Sequence, residues 1–203
     1  PLTTVDLGMK MPRSAEEYRE SLFDCRLSGQ QMNQIVEQLL NLARLDAGVA
    51  QMQTQPVNVS ELAEQCVNLV RPLAELRGLS LSFQSVSTEP VRADAAKLRE
   101  VLNNLLQNAI QYNQPNGSIQ VEIHRQDGQL ELRVSDTGIG IPKECQSLVF
   151  ERFYRADPSR HSDDLNVGLG LAIVQGYVDL MGGRLTLQSA EGEGSTFRIY
   201  LPA

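Results

Sequence analysis

The sequence predicts an α+β protein: a two-layer α/β sandwich with helices on one face of a mixed, mostly antiparallel sheet, preceded by an α-helical hairpin of a dimeric four-helix bundle. Three observations support this fold class. Residues 118–125 and 130–135 alternate apolar and polar side chains on either side of Asp127-Gly128, which is a strong hairpin signal. Residues 94–113 carry apolar side chains at helical spacing. Residues 18–43 repeat small or apolar side chains about every 3.5 positions, which is typical of helical bundles.

Length and composition limit the classes of protein to consider. The 203 residues suffice for one full domain and a small appendage, and 41 % hydrophobic with 21 % charged residues are ordinary for a soluble globular protein. The net charge of −7 argues against a nucleic-acid-binding protein. The cysteines, Cys25, Cys66 and Cys145, lack metal-site spacing and suit a reducing compartment. No apolar run reaches the roughly 18 residues of a membrane span, and no signal peptide is visible, so we expect a soluble chain.

The N-terminal quarter predicts bundle helices. Residues 1–11 have a helical pattern without a start signal and stop at Pro12, which indicates a truncated helix. Ser14, followed by Glu16 and Glu17, begins a second helix. The seam of this helix consists of Tyr18, Leu22, Cys25, Gly29, Met32, Val36, Leu39 and Ala43, and is widened by Ile35, Leu40 and Leu42. Because one and a half helices cannot bury such a stripe, we expect a homodimer through these N-terminal helices; packing against the chain's own second domain is the alternative.

Three regions follow from this pattern: residues 1–48 as a partial dimerisation hairpin, residues 49–56 as a linker and residues 57–203 as a second domain. The elements predicted after the linker are, in order, a helix capped by Asn58 or Ser60 and ended by Gly78, strands over 79–84 and 91–93, the helix over 94–113, the hairpin strands 118–125 and 130–135, a glycine loop over 136–142, a short helix around 146–153, a helix over 168–181, and closing strands over 184–189 and 195–201.

The helix over 94–113 contains a local conflict that suggests a site. Asn104 and Asn108 are four residues apart and share one face, with Gln107 and Gln111 beside them. Asparagine is a poor former of helix interiors, costing about half a kcal/mol relative to alanine, and such conflicts tend to mark functional positions. A solvated amide face is the alternative explanation.

Two glycine motifs suggest that a flat or anionic ligand approaches the backbone. In the loop over 136–142, Gly138 and Gly140 remove side chains, and Asp136 offers a carboxylate that can accept from an exocyclic amino group; a turn capped by an aspartate is the alternative. Gly168 and Gly170 open a helix, whose N-terminus suits anions. Neither motif has the spacing of the phosphate loop or of the dinucleotide-binding fold.

Charged and nucleophilic residues add few further candidates. Arg152, Arg155 and Arg160 lie between the glycine motifs and are candidates to reach a triphosphate, with a solvated charged face as the alternative. They belong to or flank a long segment without periodicity, which predicts a lid or a disordered loop. His124 and His161 have no partner at metal or triad spacing, and no serine or cysteine nucleophile motif is present.

Taken in order, these motifs resemble the catalytic, ATP-binding domain of sensor histidine kinases of two-component signalling, within the GHKL superfamily and its Bergerat fold. The matching blocks are LREVLNNLLQNAIQYN, DTGIGIP, VFERFYR, NVGLGLAI and GEGSTF, and the resemblance covers residues 57–203. It implies binding of ATP and Mg²⁺ and transfer of the γ-phosphate to a histidine on the helical bundle. It also implies relay to an aspartate of a response regulator receiver domain and a cytoplasmic location, with a membrane reached only through parts absent from this chain.

The resemblance also implies roles for individual residues. Asn108 is expected to be the protein ligand of Mg²⁺, and Asn104 to hold phosphate or a metal-bound water. Asp136 is expected to bind the adenine amino group. The remaining expected nucleotide-binding residues are Gly138 and Gly140 beside the base, Gly168, Leu169, Gly170 and Leu171 at the anion-binding helix, Thr196 at the adenine end, and Tyr112 and Arg155 near ribose or phosphate.

Three departures from the family pattern qualify these expectations. Gln111 replaces a usual lysine, and Asn166 replaces the first glycine of the usual G-x-G-L-G-L. The phosphoacceptor histidine of the family lies in a motif ending in Pro-Leu, and this chain begins at Pro1. We therefore expect the chain to bind Mg·ATP without phosphorylating itself at the usual residue.

Two other functions remain open at this stage. Gyrase-like and MutL-like ATPases of the same fold carry a glutamate that activates water, and Asn104 occupies that position here; a neutral amide cannot take the proton. A non-enzymatic nucleotide-sensing dimerisation module is the third possibility, and the retention of Asn108, Asp136 and the glycines argues against it.

Overall fold

The computed structural model describes residues 14–86, 89–126, 128–156 and 167–202. Its helices are α1 (Ala15–Asp46), α2 (Val59–Leu76), α3 (Ala95–Gln111) and α4 (Gly170–Leu180); its strands are β1 (Gln55–Val57), β2 (Ser80–Ser85), β3 (Val91–Ala93), β4 (Ser118–Gln126), β5 (Gln129–Asp136), β6 (Arg184–Ala190) and β7 (Gly194–Pro202). The predictions for residues 1–11 and for Arg160, His161 and Asn166 lie outside the described residues.

One five-stranded sheet forms the base of the second domain. Its strand order is β2-β4-β5-β7-β6; β2 runs parallel to β4, and the other neighbours are antiparallel. The β4–β5 hairpin pairs Gln126 with Gln129 across two residues, as the Asp-Gly signal predicts. Leu130, Leu132 and Val134 alternate inward, where they are buried under the helices. The predicted α+β sandwich with a mostly antiparallel sheet is confirmed.

The helices α2, α3 and α4 share one core with the inner face of the sheet. The predicted apolar stripe of α3 is almost completely buried, namely Val101, Leu102, Leu105, Leu106 and Ala109. Each fully buried aliphatic side chain of this kind contributes roughly 1.5–3 kcal/mol. The stripe therefore holds α3 in one orientation, and the amide face of the same helix is directed away from the core.

Asp94 begins α3 and also anchors the segment that precedes β1. Its Oδ1 accepts hydrogen bonds from the backbone amides of Ala96 at 3.0 Å and Lys97 at 3.1 Å, which caps the helix. Its Oδ2 accepts from the backbone amide of Gln53 at 2.9 Å and pairs with Lys97 Nζ at 3.0 Å. The predicted linker thus differs from a free polar tether, because it is tied to Asp94 and its last two residues belong to β1, which pairs with β3.

The long helix α1 begins as predicted, with a Ser14–Glu17 capping box. Its predicted seam remains exposed within the chain; Leu22, for example, is 70 % exposed. A different face, which carries Leu42 and Leu45, packs on the second domain, and a Cβ at Gly176 of α4 would lie 2.7 Å from Leu45. The alternative of packing against the chain's own domain is therefore realised by Leu45 and by Leu42, one of the residues predicted to widen the seam, and the dimer through the rest of the seam stays a prediction.

The prediction of a short helix around residues 146–153 is wrong. The structure has two single 3₁₀ turns, Lys143–Cys145 and Leu148–Phe150. A helix this short gains too few hydrogen bonds to offset its nucleation. Moreover, the side chain of Gln146 donates to the backbone oxygens of Ile141 and Ser189, at 2.9 Å and 2.8 Å, which fixes the segment to its neighbours.

Among the described residues, no helix is long and apolar enough to cross a membrane.

Candidate functional site

A cavity of about 520 Å³ lies where α1, α3, the N-terminus of α4 and the end of β5 meet. It brings together all but two of the nucleotide-binding residues that the family resemblance implies. Those that line it are Asn104, Asn108, Tyr112, Asp136, Gly140, Arg155, Gly168, Leu169, Gly170 and Leu171. Gly138 and Thr196 do not line it, for the reasons given below.

Asp136 ends β5 with its carboxylate facing the cavity. Oδ1 accepts hydrogen bonds from the backbone amides of Gly138 at 2.8 Å and Ser195 at 3.3 Å. No donor among the described residues contacts Oδ2. Burial raises the pKa of this carboxyl, and the two backbone hydrogen bonds oppose the rise. The side chain is therefore held in place by one oxygen and offers the other as an acceptor to a ligand.

The two glycines after Asp136 serve the protein's own packing. A Cβ at Gly138 would lie 2.2 Å from the Tyr112 carbonyl oxygen, and one at Gly140 would lie 1.8 Å from the Ala190 carbonyl oxygen. Gly140 also has a φ of 68°, which side chains rarely adopt. Neighbouring backbone thus fills the space beside both glycines, Gly138 contributes its amide to Asp136, and the approach of a base to these glycines stays a prediction.

Thr196 is the second predicted residue that does not line the cavity. It lies opposite Ser135 in the β5–β7 pair, on the helix-free face of the sheet, and its hydroxyl bonds Ser135 Oγ at 3.0 Å. Ser195 is opposite Asp136 and lines the cavity, as does Phe197. Adjacent residues of a strand face opposite sides, so Ser195, and not Thr196, is the residue of the GEGSTF block that lines the cavity beside Asp136.

The amide face of α3 forms the second part of the cavity wall. Asn104 Nδ2 donates to the backbone oxygen of Glu100 at 2.9 Å, which leaves Oδ1 directed toward Gly170, where a Cβ would lie 2.7 Å from it. Asn108 lies one turn further on, and its side-chain amide has no hydrogen-bond partner among the described residues. An amide oxygen in this position suits a hard cation such as Mg²⁺, which prefers oxygen ligands.

The N-terminus of α4 forms the third part. Gly168 precedes it with a φ of 76°, and its carbonyl oxygen accepts from the Phe153 amide at 2.9 Å. Leu169 is buried in the core, while Gly170 and Leu171 begin the helix at the cavity. The unpaired backbone amides of a helix start, together with the helix dipole, favour a bound anion here.

The arginines divide between two roles. Arg155 lines the cavity. Arg152 instead forms an ion pair with Asp46 at the end of α1 and does not line the cavity, so its contact with a triphosphate stays a prediction. This hydrogen bond lowers the pKa of the Asp46 carboxyl. Arg152 therefore contributes to the docking of α1 on the second domain.

Several cavity residues were missed from sequence, and the largest group is on α1. Gln31, Gln34, Ile35 and Gln38 line the cavity opposite α3. Their spacing of three and four residues places them on one face, and this was the available signal. It was overlooked because the heptad seam was assigned to a neighbouring face.

His124 has no role at the cavity. It lies on the helix-free face of the sheet with Nε2 3.6 Å from Glu122 Oε1. Within the described parts of the chain, no group of three or more histidine, cysteine, aspartate or glutamate residues could hold a metal ion. The three cysteines are free thiols.

Residues 93–203 match the family model described as "Histidine kinase-, DNA gyrase B-, and HSP90-like ATPase". Among curated proteins, the chain is 34 % identical over 189 residues to the circadian input-output histidine kinase CikA of Synechococcus elongatus, covering 92 % of this chain and 25 % of that protein. It is 31 % identical over 207 residues to the sensor protein DivL of Caulobacter vibrioides, covering 100 % of this chain and 26 % of that protein. The chain thus spans about a quarter of the length of these relatives.

Solved structures give the same assignment of fold. Full-length ShkA in complex with AMPPNP superposes with a TM-score of 0.82 at 28 % identity, covering 95 % of this chain and 40 % of that one. The nucleotide-free catalytic domain of the histidine kinase ThkA superposes with a TM-score of 0.65 at 25 % identity, covering 74 % of this chain and 96 % of that one.

Proposed function

The chain belongs to the family of histidine kinase-, DNA gyrase B- and HSP90-like ATPases, and from this membership we propose that it is the kinase core of a two-component sensor histidine kinase. In this function it binds Mg·ATP and directs the γ-phosphate to a histidine of a helical bundle. The phosphate is then relayed to an aspartate of a response regulator receiver domain. The relatives named as histidine kinases and sensor proteins support the proposal.

The observation that carries the proposal is the arrangement of Asp136 and Asn108 in one cavity. Asp136 presents a single acceptor oxygen at one end, which fits the amino group of adenine. Asn108 presents an amide oxygen beside the N-terminus of α4, which fits a magnesium ion bound to phosphates. ATP supplies the transferable γ-phosphoryl group, and the chain's own contribution is to position it and to balance its charge.

The residues of the cavity are better suited to transfer of the γ-phosphate to another nucleophile than to hydrolysis of ATP. Asn104 is a neutral amide and cannot activate a water molecule as a general base. Glu100, one turn earlier, hydrogen-bonds with Tyr177 and Asn41 and does not line the cavity. Asp136 is the one carboxylate among the described lining residues, and it is held at the opposite end.

The exposed seam of α1 supports a homodimer. Tyr18, Leu22, Met32 and Val36 are all more than two-fifths exposed in the single chain, and burying such a stripe against a second copy removes it from water. Because the relatives extend far beyond the region matched here, attachment to a membrane is assigned to other parts of such proteins. The region described here is proposed to act in the cytoplasm.

A nucleotide-sensing module without transfer activity is the second candidate. It is favoured by the scarcity of positive charge, since Arg155 is the one arginine or lysine among the described residues of the cavity and Gln111 lines it where the family resemblance expects a lysine. Binding without phosphotransfer would select this candidate.

Calorimetry and phosphotransfer test the proposal together. Titration with AMPPNP should show binding that strengthens with Mg²⁺ and is strongly weakened in Asp136→Ala. A longer form that includes a histidine-bearing bundle helix should then incorporate label from γ-labelled ATP in an acid-labile, alkali-stable linkage. Absence of AMPPNP binding at millimolar concentration would refute the proposal, and rapid release of phosphate without labelling would instead favour an ATPase.

A further inference from the structure

We propose that the glutamine row of α1, formed by Gln31, Gln34 and Gln38, is a wall of the nucleotide site and binds the phosphate end of the ligand. This inference rests on the proposed function, because it names further binding residues for the same nucleotide. Family matching covers residues 93–203 and therefore says nothing about this helix.

Two contacts between α1 and α3 fix the register of these helices. The Asn41 side chain hydrogen-bonds with Glu100, and Arg44 lines a smaller cavity together with Lys97. A residue three places later on α1 therefore meets a residue three places earlier on α3. The two helices run antiparallel, and each turn back along α1 meets a turn further along α3.

The same register continues along both helices toward the nucleotide cavity. One turn before Asn41, Gln38 comes level with Asn104; one further turn places Gln34 level with Asn108. All four residues line the same cavity. The glutamine row thus lies beside the amides of α3, at the end of the cavity that holds the metal and phosphates, and away from Asp136.

The glutamine side chains can donate hydrogen bonds to a ligand. None of the three glutamine amides has a hydrogen-bond partner among the described residues, so their N–H₂ groups are available to a ligand. Each amide provides two donors without a charge, which suits phosphate oxygens already neutralised in part by Mg²⁺. Such donors compensate for the scarcity of lysine and arginine around this cavity.

The docked position of α1 brings the glutamine row to the cavity. Leu45 packs against Gly176, and Asp46 pairs with Arg152, so the glutamine row reaches the cavity only while the C-terminal end of α1 is docked on the second domain. A ligand that contacts both walls binds the docked arrangement more tightly than an undocked one. Nucleotide binding and docking of α1 are therefore linked, each favouring the other.

The test compares a double variant with a matched control on the same helix. Gln34→Ala/Gln38→Ala should weaken binding of Mg·AMPPNP about a hundredfold or more, because two hydrogen bonds to charged groups are lost. Binding of adenosine, which lacks phosphates, should be unchanged. Gln30→Ala, an exposed residue that does not line the cavity, should leave both affinities unchanged. Gln38→Glu should weaken AMPPNP binding more than Gln38→Ala, because a carboxylate repels phosphate.

Each alternative outcome is decisive. Equal AMPPNP affinity in the wild-type chain and the double variant overturns the inference and leaves the proposed function intact. Loss of adenosine binding as well, or an equal loss in Gln30→Ala, overturns the assignment to the phosphate end. Failure of the wild-type chain to bind AMPPNP refutes the proposed function itself, and the inference with it.

Discussion

The backbone amide of Ser195 donates to Oδ1 of Asp136 across the β5–β7 pair, at 3.3 Å. Together with the amide of Gly138, it occupies one carboxylate oxygen and leaves the second for a ligand. The carboxylate is therefore oriented before any nucleotide binds, which lowers the cost of binding. Its two oxygens have different roles, and this makes the choice of base at this position testable.

Replacing Asp136 with asparagine should change the preference for the purine. The variant keeps Oδ1 as acceptor for Gly138 and Ser195, but it presents an N–H₂ donor to the cavity. Affinity for ATP should fall by about tenfold or more, and affinity for ITP, whose base carries an acceptor, should rise relative to ATP. Competition titrations measure the ratio, Asp136→Ala is the control that favours neither base, and an unchanged ratio contradicts the assignment.

Acidification should weaken adenine binding earlier than an ordinary aspartate would. Burial raises the pKa of Asp136 above 3.8, so the carboxylate becomes protonated, and loses an acceptor, at higher pH than an exposed one. The affinity for ATP should decline as the pH falls toward 3.8, and the decline should begin at a higher pH than an exposed carboxyl would cause. Tripolyphosphate, which lacks the base, is the control ligand; an identical decline for both ligands would locate the effect at the phosphates.

The same shift in pKa affects stability in the opposite direction. A carboxyl whose pKa is higher in the folded state than in the unfolded state binds more protons when folded. The contribution of Asp136 to the free energy of unfolding should therefore increase as the pH falls through the raised pKa toward 3.8. Urea unfolding of the wild-type chain and Asp136→Asn across this range measures the difference.

Replacing Asn108 with alanine should remove the magnesium dependence of binding. The side chain is the proposed protein ligand of the metal, so affinity for Mg·ATP should fall by about tenfold or more, while metal-free ATP should bind nearly as before. Asn103→Ala is the matched control, because Asn103 lies on the same helix, outside the cavity, with a buried Oδ1 that has no partner among the described residues. Persistent stimulation by Mg²⁺ in Asn108→Ala would assign the metal to other ligands.

Replacing Asp94 with alanine should destabilise the second domain by about 2–4 kcal/mol, through loss of the α3 cap and of the bonds from Gln53 and Lys97. Burial tends to raise the pKa of Asp94, but the hydrogen bonds from Gln53 and Lys97 outweigh it and lower the pKa below 3.8. The stabilisation is thus present above pH 3.8 and is lost as the pH falls through the lowered pKa.

Urea unfolding at neutral and acidic pH measures both effects of Asp94. Asp94→Asn, which keeps the acceptor for the cap, should lose less stability than the alanine variant. Equal losses in the two variants would show that the charge, and not the cap, stabilises this helix start.

The register of β7 can be tested at two adjacent positions. Thr196→Val should leave AMPPNP affinity within about twofold, because its side chain faces the helix-free side of the sheet. Ser195→Val should weaken binding by about fivefold or more, because added methyl groups fill the adenine end. Thermal unfolding of both variants checks that each is folded, and the reverse order of effects would contradict the register.

Features that depend on neighbouring residues were predicted well from the sequence. The caps at Ser14 and Asn58, and the glycine after α2, have local causes that a short stretch of sequence contains. The apolar stripe of α3 is equally local, and its complement, the amide face, does line the cavity. The residues Asn104 and Asn108 were found for this reason.

Features that depend on distant residues were harder to predict. Thr196 was taken from the family resemblance, and because strand alternation has a period of two, an assignment displaced by one residue selects the other face of the sheet. The glycine at position 140 is required by Ala190, fifty residues away in sequence, and Arg152 finds Asp46 only after α1 has docked. The glutamines of α1 became cavity residues through the same docking, which no local pattern specifies.

The contact between Asp136 and Ser195 joins positions 59 residues apart, and the second of them lies in the last strand. A polypeptide grows from its N-terminus, so the carboxylate proposed to bind the purine leaves the ribosome long before the strand that orients it. The proposed site therefore has no partially functional precursor: molecules that lack β7 can fold helices, but they orient this carboxylate only once the nine residues of that strand are in place.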